Sequence, residues 1–67
     1  MDIRLRFGVK VAEMRKIKGL SQEALAIKSN VDRSYISRIE LGQTSISLVV
    51  MERIAIAMDA KIADFFN

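Results

Sequence analysis

Leu20-Ser21-Gln22-Glu23-Ala24-Leu25-Ala26 and, after four intervening residues, Val31-Asp32-Arg33-Ser34-Tyr35-Ile36-Ser37-Arg38-Ile39-Glu40 spell two short helices joined by a tight turn. Ser21 is a good N-cap, and Glu23 places a negative charge in the first turn, where the helix dipole favours it. The helix runs to about Ser29 with Leu25 and Ala26 pointing inward. Asn30 then occupies the site where the chain must turn sharply, because Asn tolerates the left-handed conformation nearly as well as glycine. Asp32 is expected to cap the next helix, about 33 to 40, which buries Ile36 and Ile39 and ends at Gly42.

Working outward, Phe7, Val11, Met14 and Leu20 lie at helical spacing, so a first helix of about residues 3 to 18 presents an apolar stripe and Gly19 ends it. Residues 43 to 47 read as loop. Ser47 caps a fourth helix whose inward stripe is Leu48, Met51, Ile54, Ala55 and Met58, and Ile62 with Phe65 carries the core into a fifth. No period-two pattern competes, so the expectation is an all-α, compact five-helix domain spanning 1–67. Met14, Met51 and Met58 sit at core spacing and need no cofactor to explain them.

With 67 residues the chain forms one domain, and a domain so small buries only about 60% of the surface its unfolded form exposes. It has neither cysteine nor histidine, so disulfides and the usual metal sites are excluded as sources of stability, and association with another copy remains. The lack of those residues also removes the commonest bases, nucleophiles and metal ligands; there is no glycine-rich phosphate loop, and the carboxylates are scattered singly. Neither an enzyme nor a cofactor is expected. No apolar run approaches the ~20 residues of a membrane span and the N-terminus does not resemble a secretory signal, so a soluble, cytoplasmic protein is expected. The net charge is +3, unevenly spread: residues 1 to 40 carry nine basic and five acidic side chains, residues 41 to 67 two basic and three acidic. One half suits a polyanion better than the other.

At about 100° per residue, with Arg33 at zero, Ser37 falls near 40°, Ser34 near 100° and Arg38 near 140°, opposite Ile36 and Ile39. Two arginines and two serines therefore share one face. A guanidinium bonds bidentately to O6 and N7 of guanine in the major groove, and serine donates to or accepts from several base edges. Such a face would also suit plain solvent; the short preceding helix and the Asn30 turn favour a groove, with the second helix inserted and the first across the backbone.

The chain strongly resembles the phage-repressor (Cro/C1, or XRE) family of helix-turn-helix proteins through Gly19-Leu20-Ser21-Gln22-Glu23-x-Leu25-Ala26, Tyr35-Ile36-Ser37-Arg38-Ile39-Glu40-x-Gly42 and Glu52-Arg53-Ile54-Ala55-x-Ala57-Met58. Within it, Arg33-Ser34-Tyr35-Ile36-Ser37 and Ser45-x-Ser47-Leu48 look like the controller proteins of restriction-modification systems. The resemblance implies a lambda-repressor-like fold with the helix-turn-helix in helices 2 and 3, and the docking geometry is the family's own.

It also implies roles. Arg33, Ser34, Ser37 and Arg38 take the base-reading positions and Gln22 meets a phosphate, beside the free N–H groups of a helix N-terminus; a plain surface amide is the alternative. Tyr35, near 200°, either reaches the DNA backbone or covers the core edge. Thr44 and Ser45 lie where the family touches the DNA backbone or neighbouring bases, although controllers often carry Arg and Asn there. Arg15 and Glu40 correspond to a structural ion pair. Asp59 stands where the family often has glycine, and Lys61 where a serine cap is usual, so the start of the fifth helix is expected to fray.

Ile46, Val49, Val50, Ile56 and Phe66 remain after the core is filled. They read as a twofold interface, with scattered exposed hydrophobes as the plainer alternative. A homodimer would place two reading helices in successive major grooves about 34 Å apart, on a palindromic operator in double-stranded DNA. The controller resemblance further implies an autoregulating switch: activation, through contact with RNA polymerase, at low occupancy and repression at high. A phage or chromosomal repressor, and an antitoxin whose main partner is a toxin protein, are the alternatives on the same fold.

Overall fold

The computed structural model describes residues 2–66. Four helices follow one another: α1 over Ile3–Ile17, α2 over Gln22–Ser29, α3 over Arg33–Glu40 and α4 over Leu48–Ala57. A 3-10 helix, Ile62–Phe66, stands where a fifth α-helix was expected. Five residues have room for little more than a single turn, in which i→i+3 bonds are the natural closure. No strand occurs among the described residues.

Three of the helices start on side-chain caps: Asp2 accepts from the Arg4 N–H (2.7 Å), Ser21 from that of Ala24 (3.0 Å) and Ser47 from that of Val50 (3.1 Å). Hydrogen bonds from the Arg4 guanidinium and backbone N–H lower the Asp2 carboxyl from its ordinary 3.8 to about 2, so this cap stays charged well into acid. Asp32 departs from expectation. It stands at the capping position of α3, but its carboxylate makes no cap bond and accepts from the Ser34 hydroxyl instead.

At the end of α2, Asn30 takes the left-handed conformation (φ 55°), and the Val31 N–H reaches back to the Ala26 carbonyl at 3.0 Å. That turn swings α3 across α2 and buries Val31. The buried Ser29 hydroxyl donates to the Leu25 carbonyl (2.7 Å), so it is not left unsatisfied. Beyond α4, Asp59 makes the equivalent turn at φ 53° without a glycine. The Lys61 N–H then donates to Asp64 Oδ2 at 2.9 Å, so the start of the terminal helix is held rather than frayed.

Every element supplies the core: Phe7 and Val11 from α1, Leu25 and Ala26 from α2, Ile36 and Ile39 from α3, Ile54 and Ala55 from α4, with Met58 and Phe65 after it. The Phe7 ring meets those of Phe65 and Phe66 at 5.1 and 5.7 Å between centroids. Leu48 does not join them. It is 74% exposed, so the inward stripe of α4 begins at Met51, and Leu48 is left in solvent with Val49 (60%) and Ile56 (69%). On a 3.6-residue helix Leu48 lies roughly 80–100° from those two and within about 20° of the buried Ala55, so its place at the first residue of the helix, not its angle, leaves it outside the core.

Helix α1 lies so close to the C-terminal half of α3 that a Cβ on Gly8 would stand 2.0 Å from the Ile39 carbonyl oxygen. A second close approach follows at the end of α3, where a Cβ on Gly42 (φ 70°) would stand 2.9 Å from Leu5 Cα. Gly8→Ala is therefore expected to cost about 3 kcal/mol or more, since the obstacle is backbone and cannot rotate away. Gly19→Ala, which meets nothing within 4 Å, should cost only about 1–2 kcal/mol for its left-handed φ. Urea unfolding of the two variants reads the difference; equal losses would mean that the helices separate easily.

Candidate nucleic-acid interface

The hydrophobic side of α3 is consumed by Ile36 and Ile39, which leaves Arg33, Ser34, Ser37 and Arg38 on its outer face. These four, together with Gln22 at the first turn of α2, line one polar cleft of about 370 Å³. The structure thus collects the four expected base readers and the expected phosphate residue into a single surface. Its floor is helix, so the side chains project from rigid backbone.

Local bonds set the hydrogen-bonding character of this face. The Ser34 hydroxyl proton is committed to Asp32, which leaves Ser34 lone pairs to accept with. No side chain caps α3; the Tyr35 and Ile36 N–H groups donate to the Asp32 carbonyl at 3.0 and 3.1 Å, which leaves those of Arg33 and Ser34 to an outside acceptor. The Arg38 guanidinium carbon lies 5.7 Å from the Tyr35 ring centroid, so Tyr35 supports that cation from the side.

Tyr35 itself is half-buried, and its hydroxyl donates to the Ser45 carbonyl at 2.9 Å. The same carbonyl accepts from the Thr44 hydroxyl at 3.3 Å. Phenol has one proton and a phosphate offers no donor, so a contact from Tyr35 to the DNA backbone requires this bond to open. Tyr35 thereby pins loop 43–47 to α3. Thr44, Ser45 and Tyr35 lie outside the lining of the polar cleft, and Ser45 lines a different, mainly apolar groove with Ile46, Met51, Phe7 and Phe66.

Behind the cleft stands a nearly buried ion pair. Arg15 Nε donates to Glu40 Oε2 (2.7 Å) and Nη2 to Oε1 (3.0 Å), while Nη1 donates to the Leu20 carbonyl at 2.8 Å. The side chains are 11% and 6% exposed. The hydrogen bond to Glu40 raises the Arg15 pKa still further above its already high ordinary value, so the guanidinium is permanently charged. The pair and the Leu20 carbonyl clamp α1, the entry to α2 and the end of α3 at one point. Gln22 Nε2 also donates to Glu40 Oε1, at 3.1 Å. Nothing in the sequence signals that last bond, because the partners are 18 residues apart on different helices.

The residues expected at a twofold interface divide. Val49 and Ile56 are exposed, with Leu48 added beside them, whereas Ile46, Val50 and Phe66 are half-buried and packed against the core. Among the described residues no helix is long and apolar enough to cross a membrane.

Glu40→Ala is expected to destabilise the fold by about 3 kcal/mol, because it strands a nearly buried guanidinium. The double replacement Arg15→Met/Glu40→Leu removes both charges and their desolvation cost, and should be more stable than the single variant. Thermal unfolding of the three proteins checks the order; a double variant less stable than Glu40→Ala would show that the pair is favourable in its own right.

Comparison with known proteins agrees with this geometry. The family model described as Helix-turn-helix matches residues 11–65. The chain is 40% identical to the control protein C.MunI of a Mycoplasma species, over 98% of this chain and 90% of that protein. It is also 40% identical to the control protein C.BamHI of Bacillus amyloliquefaciens, over 98% and 83%. The crystal structure of the restriction-modification controller protein C.AhdI from Aeromonas hydrophila superposes with a TM-score of 0.92 at 43% identity, covering 94% of this chain and 96% of that one. With the reading helix, its polar face and the family match in agreement, the chain belongs to the helix-turn-helix family and is a DNA-binding transcription regulator.

Proposed function

We propose that this regulator is a restriction-modification controller that binds a palindromic operator as a homodimer. The observation that carries the DNA-reading part is the gathering of Arg33, Ser34, Ser37, Arg38 and Gln22 into one polar cleft on the solvent side of α3. Arg33 and Arg38 supply bidentate donors suited to guanine, each worth about 1–3 kcal/mol against a wrong base. Ser34 and Ser37 are short enough to let the helix sit deep in the groove, and Gln22 takes a phosphate that sets the register. The controller role is supported by likeness along nearly the whole length to proteins of that description.

The exposed Leu48, Val49 and Ile56 support the dimer, since three large aliphatic residues on the outer side of one helix, with Glu52 and Arg53 between them, are costly to leave in water. Ile46, Val50 and Phe66, half-buried against the core, would add less surface to that interface. A dimer that forms only as protein accumulates makes operator occupancy steep in concentration. The operator's palindrome, activation through RNA polymerase at low occupancy, repression at high occupancy and a place in the cytoplasm rest on the resemblance to controllers.

The test begins with selection of a binding site from a random duplex library at fixed salt, since phosphate contacts make affinity strongly salt-dependent. A twofold-symmetric consensus, bound by two chains per duplex in light scattering, is the expected result; an asymmetric site bound by one chain would sink the dimer. Arg33→Ala should relax the preference at one position of each half-site by about 1–3 kcal/mol, leaving affinity for a scrambled duplex much less affected. Equal loss on both duplexes would reduce Arg33 to a phosphate contact. Val49→Glu/Ile56→Glu should leave the helical content unchanged and give a monomer of weakened operator affinity; a variant still dimeric would place the interface elsewhere.

A further inference from the structure

Glu40 does more than pair with Arg15. Its Oε1 accepts from both Arg15 Nη2 and Gln22 Nε2, at 3.0 and 3.1 Å, and its Oε2 takes Arg15 Nε. The carboxylate is nearly buried, whereas Gln22 is half-buried and lines the polar cleft with Arg33, Ser34, Ser37 and Arg38. The last residue of α3 is therefore bonded to the first residue of α2, directly beside the DNA-reading face.

The chemistry of the amide makes that bond directional. A glutamine side chain carries two N–H donors on one atom and a carbonyl acceptor on the other, and free in solvent it presents either end. A carboxylate only accepts, so Glu40 selects the orientation with the nitrogen turned toward it and occupies one of the two N–H groups. The second N–H is left over. A DNA phosphate also only accepts, so it can bond that remaining N–H but would be repelled by the carbonyl of a flipped amide. The Arg15 guanidinium cancels the Glu40 charge, so the carboxylate can sit close to a phosphate without opposing it.

We propose that Glu40 is a positioning residue for DNA binding: it fixes the Gln22 amide so that one N–H is held out to a backbone phosphate. This rests on the reading that Gln22 meets a phosphate. It assigns the ion pair a second duty, since the group that holds α1 to α3 also aims a contact on α2. The Gln22 side chain then has few rotamers left to lose on binding, and its contact is in place before DNA arrives.

The test scans the selected operator with single methylphosphonate substitutions, which neutralise one phosphate at a time. In the wild-type protein one phosphate per half-site should show a loss of about tenfold or more that Gln22→Ala abolishes, as expected for one hydrogen bond to a charged group. Arg15→Met/Glu40→Leu removes the acceptor with no change in net charge and is the variant expected to fold well. It should lose sensitivity at that same phosphate and keep it at the others, while Glu40→Gln, which retains a carbonyl acceptor, should recover most of it. Two outcomes overturn the proposal with the Gln22 contact intact: sensitivity in the double variant that still depends on Gln22, or a loss spread evenly over all phosphates, which is the mark of a purely structural pair. If Gln22→Ala changes no phosphate's sensitivity, the Gln22 contact itself falls and the positioning role falls with it. Circular dichroism at the binding temperature, run on each variant, assures that folded protein is compared.

Discussion

The approach of α1 to the end of α3 constrains everything else in this molecule. Gly8 lets the Ile39 carbonyl come within a distance that any side chain would forbid, Gly42 does the same for Leu5, and Arg15 grips Glu40 with two charge-assisted bonds a little further along. These contacts fall along α1 from Leu5 to Arg15, so they set both the separation of the helices and their angle. A reading helix must hold its side chains to within about an ångström of the base edges, and one of only eight residues cannot do so alone. Its rigidity is borrowed from α1.

From that fixed backing the functional face follows by subtraction. Ile36 and Ile39 are committed to the core, and at 3.6 residues per turn the side chains left facing outward are Arg33, Ser34, Ser37 and Arg38. Short bonds then tune them. Asp32 withdraws the Ser34 proton, Tyr35 flanks Arg38 and ties down loop 43–47, and Glu40 takes hold of Gln22. Residues that read as caps, core edge or structural charge in the linear sequence thus prepare the hydrogen-bonding character of a surface they do not themselves form. The outer side of α4 differs, with Leu48, Val49 and Ile56 left exposed on it.

Several elements were legible because their causes are local. Helix bounds at Ser21 and Ser47 follow from side chains that bond their own backbone, the bound at Asn30 from a residue that tolerates the left-handed conformation, and the burial of Leu25, Ile36 and Ile54 from periodicity. Where sequence reasoning missed, the deciding partner was either a close competitor or a distant neighbour. Asp32 had a capping bond available and spent its carboxylate on Ser34 two residues away. Leu48 fits the inward stripe by spacing alone, but it is the first residue of α4, where loop 43–47 has not yet brought the helix against the core. The terminal helix was expected to fray at Lys61, and Asp64 reaches back to hold it.

The sequence by itself determined the order of the helices, the turn between α2 and α3, the polar outer face of α3 and, by resemblance, its family, because each depends on neighbours within a few residues or on a motif that is linear. Only the tertiary structure decided that Gly8 is a packing requirement rather than a neutral position in a helix, that Leu48 belongs to the surface, and that Glu40 holds Gln22 as well as Arg15. Those facts come from contacts between residues 18 to 31 positions apart or from the angle between helices, and neither periodicity nor capping chemistry carries information over that range.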